Sequence, residues 1–444
     1  MMGYSMELAL RGLRRSPKTT ALAVLTVAIG LAASMTTLAL LHMLSADPLP
    51  GRSQHLYLAW FDAVQAKPQT YTSLDNDWAT YDYKRLKMPD AEALLAAHRG
   101  SLQAAVADLD APVEGDRGEP SNEHLLATSS DFIPMFGVAL RDGRSWTAAE
   151  DAARAPVAVM DSELAQKLFG TTKAIGRVVQ IKHHAFRVIG ISQPYSPQPH
   201  FYGLNAWAFS GSDRESILVP FGAAIDAGLA ASSTDSCDDV TEKSRQYIAV
   251  DPVHCEWLAA WVQLNTTQDV AAYRSFLEHY AEQQQHSLAS YGKKPQWQLL
   301  NVQQWLTLQN AIPDNVRLNV WLAGSFLLLC MVNVAGLLAA KFMRRGAEVG
   351  IRRALGASRR AVMLHHLLEA GMVCLLGGFL AWPLTLLGLS LLRMQDQGFT
   401  DLARLDVAMF AGLFALALAV GVLVGLLPSW RVSLVQPGLQ VKSA

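Results

Sequence analysis

Two histidine pairs, one cysteine pair and one run of arginines are the places where residue type and spacing could do chemistry in this chain. His183-His184 offers imidazole ligands, yet adjacent residues on an extended chain point to opposite faces and no second ligand cluster accompanies them. A solvated turn is expected there, and no metal centre. His365, His366 and Glu369 lie within about two to three helical turns of Arg360 at the start of an apolar run. Interfacial placement is expected for the histidines, while Glu369 is a candidate for helix packing or coupling. No GxxxxGK[ST], GxGxxG, HExxH, CxxC or GxSxG motif occurs, so the chain is expected to be no enzyme and to bind no cofactor itself.

The arginine run extends from Arg344 to Arg360 and contains Arg345, Gly350, Arg353 and Arg359 as well. Glu348 and Arg352 are four apart, which supports a short helix by a few tenths (~0.3 kcal/mol), and Gly356 can end that helix in a left-handed cap. A capped basic helix between two membrane spans offers a rigid lever to a soluble partner. The same charge could equally hold lipid phosphates, and charge alone does not choose between the two.

The elements that would position this loop are four stretches without any Asp, Glu, Lys or Arg: Lys18 to Asp47, Arg317 to Lys341, Glu369 to Arg393 and Asp406 to Arg431. Each exceeds the roughly 20 residues needed to cross a hydrocarbon layer as a helix. With 51% hydrophobic and only 17% charged residues, a simple soluble enzyme is excluded. Transmembrane helices are expected over 19–44, 318–340, 365–392 and 407–428. The apolar core from Thr19 to Leu44 is longer than the ~7 to 15 residues of a cleavable signal core, so the first is read as a permanent span. Within the third, Pro383 should kink the helix, and Gly377-Gly378 should permit close helix contact.

Lys and Arg crowd the N-terminal segment 1–18 and the loop 341–361, which places both in the cytoplasm. The loop 393–406 balances Arg393 and Arg404 with Asp396, Asp401 and Asp406 and lies outside, and the tail 429–444 is inside. Residues 45–316 carry 21 Lys and Arg against 32 Asp and Glu, a net charge of −11, whereas the remaining segments carry 16 against 6, a net +10. The fold class is thus an integral membrane α-helical protein with a large α+β extracytoplasmic domain inserted between helices 1 and 2. Multi-pass insertion in a bacterial inner membrane with both termini cytoplasmic follows, with membrane lipids and no nucleic acid as partners.

In the outer domain, Pro156–Met160, Arg177–Ile181 and Phe186–Ile191 are β-branched strand signals, with Lys182-His183-His184 as a turn. Asp161 caps a short helix to Phe169, Thr147 and Glu150 form a capping box, and Asp269–Ser287 carries a stripe of Val270, Tyr273, Leu277 and Tyr280. Gln193–Gly211 and Ala230–Glu242 read as connections. Cys237 and Cys255, the domain's two cysteines, are expected to form a disulfide in an oxidising space. Cys330 and Cys374 are expected to be small buried residues inside spans.

Several segments, in order along the chain, resemble the MacB/FtsX-type ABC transporter permeases. Glu348-Val-Gly-Ile-Arg-Arg-Ala-Leu-Gly-Ala357 resembles that family's signature, Gly425-Leu-Leu-Pro428-Ser-Trp-Arg431 with Pro437 its ending, and Leu10-Arg-Gly-Leu-Arg-Arg-Ser-Pro17 its start. Phe136–Trp146, Pro156-Val-Ala-Val, Leu168-Phe-Gly170, Ile175-Gly176 and Phe186–Gly190 are similar to its periplasmic core domain. The resemblance implies lobes at about 46–200 and 245–316 with a smaller one between. It also implies a second permease copy or paralogue, and a cytoplasmic ABC ATPase dimer that holds ATP and Mg and docks on Arg344–Arg360. MacB itself carries its ATPase ahead of the first span; with 18 residues before that span here, a separate ATPase is expected.

Export of a periplasmic peptide, antibiotic or similar substrate by mechanotransmission, towards an adaptor and an outer-membrane channel, is the function implied. Activation of a periplasmic hydrolase by a signalling complex and lipoprotein extraction are the alternatives, and the sequence does not separate them.

Overall fold

The computed structural model describes residues 16–61, 85–117, 119–203, 214–229, 236–237, 255–287, 296–309, 314–345, 349–351, 353, 355–395 and 407–433. Glu348, Arg352, most of the N-terminal segment, the loop 396–406 and the tail from 434 lie outside the described residues. Two compact units divide the chain: Ala46–Ala311, and Met1–Ser45 with Ile312–Ala444.

In the first unit, β1 (Leu56–Phe61), helix α2 (Met88–Ala96) and β2 (Leu102–Glu114) form one half of a lobe; β11 (Ala259–Gln263), α7 (Thr267–Ser287) and β12 (Trp297–Asn301) form the other. The order β12-β1-β11-β2, antiparallel at every step, is the split βαβ arrangement of ferredoxin-like folds. Everything between β2 and β11 is an insertion. It comprises β3 (Ser121–Thr128), α3 (Phe132–Phe136), β4 (Leu140–Gly143), α4 (Ala148–Ala152), β5 (Val157–Asp161), α5 (Ser162–Phe169), β6 (Val178–Ile181), β7 (His184–Ser192), β8 (Ile217–Pro220) and α6 (Phe221–Asp226). A two-stranded ribbon of β9 (Ser236–Cys237) and β10 (Cys255–Glu256) follows. The inserted strands extend the same sheet as β2-β3-β8-β5-β7-β4, with β6 against β2 and β7.

The expected lobes at 46–200 and 245–316 are therefore corrected. Pairing of β11 with both β1 and β2 assigns 56–114 and 259–301 to one lobe and 121–226 to the other. No local pattern announces such a pairing, because the partners are more than 150 residues apart.

Successive side chains on each strand go to opposite cores. Ala158 and Met160, Leu125 and Ala127, and Ile217 and Val219 enter a core covered by α2, α5, α6 and α7. Val157 and Val159, Leu126 and Leu218 enter an aromatic core with Phe132, Phe136, Phe201, Tyr202, Trp261 and, from the helix α8 (Val302–Leu308), Trp305. Burial on both faces explains why β5 and β8 read as continuous apolar runs rather than alternating ones. The expected caps are present: Leu164 N donates to Asp161 Oδ1 at 2.7 Å, and Thr147 and Glu150 close a reciprocal box. Tyr273 and Leu277 of α7 are buried, with Val270 and Tyr280 packed beside them. Lys182 and His183 make the expected exposed turn with φ of +47° and +69°, and His184 opens β7.

The second unit is a bundle of four long helices: α1 (Pro17–Leu44), α9 (Asp314–Met343), α10 (Arg359–Gln395) and α11 (Val407–Ser433). Each contains a segment long and apolar enough to cross a membrane, the shortest being Ala411–Trp430, and the chain is a multi-pass membrane protein. Val27, Leu31, Val334, Leu338, Val373, Cys374, Ala417 and Val420 form its core. The helix α10 continues through Pro383.

Candidate functional site

The arginine run emerges from the end of α9. A turn follows Met343, in which Arg344 N donates to Ala340 O at 3.2 Å and Arg345 N to Phe342 O at 3.1 Å. Helical residues follow at 349–351 and 353, begun by Val349 N donating to Arg345 O at 3.2 Å. The segment closes with Leu355 N donating to Ile351 O at 3.0 Å and Gly356 N to Arg353 O at 3.1 Å. Gly356 has φ +98°, where a side chain would be strained, so it ends the segment as its sequence position requires. Ser358 then caps α10, its Oγ accepting from Ala361 N at 3.2 Å.

Burial divides this segment. Val349 and Gly350 are buried, Val349 joining the bundle core, whereas Ile351 is 56% and Leu355 83% exposed. Arg344, Arg359 and Arg360 are exposed, and Arg345 and Arg353 half-buried. The surface is thus two bare aliphatic side chains in a basic setting. Sequence reasoning weighted the charges and missed these two residues, although Ile351 and Leu355 are four apart and share a helical face.

Beneath the loop lies a buried ionic cluster. Glu369 of α10 is fully buried, and its Oε1 lies 2.8 Å from Lys341 Nζ, in the last turn of α9, and 3.4 Å from Arg345 Nη1, in the turn after it. Lys341 also donates to Thr20 Oγ1 of α1 at 3.0 Å. His366 is buried, its Nδ1 3.8 Å from Glu369 Oε2 and its ring 4.3 Å from that of Phe342. His365 beside it is half-buried.

Donor atoms of His365, His366 and Glu369 fall within 4.8 Å of one another, a spacing a metal ion could use. The carboxylate, however, already faces an ammonium and a guanidinium, and a divalent cation would add charge to a site where the positive groups outnumber the negative one. The arrangement fits an ion-paired joint better than a metal centre. Removing one member of such a pair costs about 3–5 kcal/mol, because the remaining charge is left buried.

Residues 20–279 match the MacB-like periplasmic core domain, and residues 320–437 match the FtsX-like permease C-terminal domain. This chain belongs to the MacB/FtsX-type ABC permeases. The permease is 24% identical over 317 residues to the macrolide export ATP-binding/permease protein MacB of Salmonella paratyphi A, covering 70% of this chain and 42% of that protein. It is 22% identical over 354 residues to the pyoverdine export ATP-binding/permease protein PvdT of Pseudomonas syringae pv. tomato, covering 79% and 46%. The chain thus spans less than half the length of these relatives. Among solved structures, the periplasmic region of MacB from Actinobacillus actinomycetemcomitans matches with a TM-score of 0.36 and 13% identity, covering 61% of this chain and 95% of that one.

Elsewhere in the permease, Gly377 and Gly378 mark close helix contacts. A Cβ on Gly377 would meet Val27 Cγ1 of α1 at 2.6 Å, and one on Gly378 would meet Ala417 Cβ of α11 at 3.0 Å. The outer domain holds a second buried polar network that sequence reasoning missed. Glu215 Oε1 lies 2.8 Å from His200 Nε2 and its Oε2 accepts from Tyr202 OH at 2.7 Å. The two halves of this network flank residues 204–213, so their proximity had no local signal.

Cys237 and Cys255 stand directly opposite each other in the ribbon. Directly opposed residues of an antiparallel pair have Cα atoms about 4.5–5.5 Å apart, inside the ~4.4–6.8 Å range that a disulfide spans. Oxidised permease should therefore give a linked Cys237–Cys255 peptide in non-reducing mass mapping. Closing a loop of that size contributes roughly 3 kcal/mol of stability. Alkylation of both thiols without reductant would contradict the linkage.

Proposed function

We propose that this chain is the membrane subunit of an ABC exporter, working by mechanotransmission in a bacterial inner membrane. A cytoplasmic ABC ATPase supplies the ATP and Mg chemistry, and the residues of this sequence carry out no catalysis themselves. The observation that carries the proposal is the short capped segment between α9 and α10, which presents Ile351 and Leu355 bare among arginines while Val349 anchors it in the bundle. A surface of that kind fits a protein cleft, since exposed aliphatic side chains gain nothing from lipid phosphates. The excess of Lys and Arg near this segment supports a cytoplasmic side for it and for both termini.

Nucleotide-driven closure of a dimeric ATPase would then move the bundles of two permease copies, and the chain connections near residues 45 and 312 would pass the displacement to the outer domains. Relatives named for macrolide and pyoverdine export support an exported small molecule or peptide as the substrate class. The outer domain's acidic balance suits a basic substrate or a basic adaptor surface leading to an outer-membrane channel.

Charge reversal tests the docking. The double variant Arg352→Glu, Arg353→Glu should lower ATPase recovery with the membranes at least about tenfold, as expected when interface charges are inverted, while the outer domain stays folded. Recovery of the ATPase at the parental yield would show that it docks elsewhere.

A further inference from the structure

We infer that Glu369 is a positioning residue that ties the root of the docking segment to three helices, so that a push on the segment moves them as one block. The inference rests on the mechanotransmission reading above. Glu369 is the one acidic group in the described cluster, fully buried, and it reaches two cations, Lys341 in the last turn of α9 and Arg345 in the turn that follows it. Lys341 passes the connection on to Thr20 of α1. The third helix is α10 itself.

The same Arg345 whose guanidinium faces Glu369 supplies the backbone carbonyl on which the docking segment begins, through Val349 N at 3.2 Å. Displacement of that segment is therefore felt first at a residue held to α10 by charge. His366 lies beside the carboxylate, and its ring packs against that of Phe342.

Stability alone does not account for this arrangement. A buried ion pair can usually be replaced by apolar side chains of similar volume at little or no loss of stability, and a helix bundle in lipid holds together well by packing. Short directional contacts add a defined registry between α9, α10 and α1, and registry is the best-attested use of buried charge.

The experiment uses the full chain with its ATPase in lipid nanodiscs, and reads three quantities: thermal unfolding, ATPase retention, and the stimulation of ATP hydrolysis by the permease. In the apolar variant Lys341→Met, Glu369→Leu we expect a folded bundle, ATPase retained at the parental yield, and stimulation reduced at least about fivefold, the lower bound of typical coupling factors. Glu369→Asp, which keeps the charge facing Lys341 and Arg345, should retain more than half of the stimulation. Glu369→Gln, close in shape but uncharged, serves if the apolar variant fails to insert, and should lose stimulation similarly. Full stimulation by a folded, uncharged variant overturns the inference. A parental chain that retains no ATPase overturns the underlying reading instead, and with it this one.

Discussion

Glu215→Ala lowers the stability of the outer domain by about 3–5 kcal/mol, the cost of leaving buried His200 and the Tyr202 hydroxyl without their shared acceptor. At about 2 °C per kcal/mol for a domain of this size, the unfolding midpoint should fall by roughly 6–10 °C. The segment has little room to adapt: a Cβ on Gly203 would lie 2.7 Å from both the Asp108 carboxylate and His200 Cε1. The same network predicts a pH dependence. Burial would raise the Glu215 carboxyl, but the charge of His200 and hydrogen bonds from His200 and Tyr202 outweigh it and hold the carboxyl below its ordinary value of 4.5. A carboxyl lowered in the folded state adds stability above that ordinary value and loses it as pH falls through the folded one. The parental domain should therefore weaken on the acid side of pH 4.5, and Glu215→Gln should flatten that part of the profile. Circular dichroism melts of the full chain across pH check both; a variant melting with the parent at neutral pH would show that the network holds nothing.

Trp305→Ala should cost a similar ~3–5 kcal/mol, by removing a large ring from a dense aromatic core and leaving a cavity. Trp305 is 2% exposed and its Nε1 donates to Phe201 O at 2.8 Å, beside Trp261 Nε1, which donates to Tyr202 O at 3.0 Å. Trp305→Phe keeps most of the volume and loses the hydrogen bond, so it should cost only about 1–3 kcal/mol. Because Trp305 and Glu215 both hold the backbone or side chains of residues 200–202, their losses should not add. The double alanine variant is expected to fall short of the sum by about 0.5–3 kcal/mol in a thermodynamic cycle. Strict additivity would mean that the two contacts act on separate units.

The clustered aromatics also explain why α8 has a fixed place. Its Asn301 cap accepts from Gln304 N at 2.8 Å, and Val302 and Leu306 enter the same core as Trp305. Arg52 Nη1 donates to Pro134 O at 2.8 Å, and Tyr195 OH to Phe136 O at 2.9 Å. Arg52 and Trp305, from the two ends of the outer domain, thus both hold the inserted segment.

What the sequence by itself determined was whatever depends on near neighbours. Four spans follow from apolar length, because lipid leaves the backbone no partner but itself. The helices at Asp161, Thr147 and Asp269 follow from caps and periodicity, and the left-handed Gly356 from its place at the end of a charged helical segment. Only the tertiary structure decided the lobes, since β11 must travel more than 150 residues to lie between β1 and β2. It also decided which charges are paired. Along the chain Lys341 and Arg345 read as charges of the cytoplasmic loop and Glu369 as a helix-packing or coupling candidate with no partner assigned; helix packing buried the carboxylate and brought both cations to it. Hydrogen-bond periodicity and apolar length are written within one or two turns of chain, whereas burial and ion pairing depend on surfaces that exist only once distant segments have met.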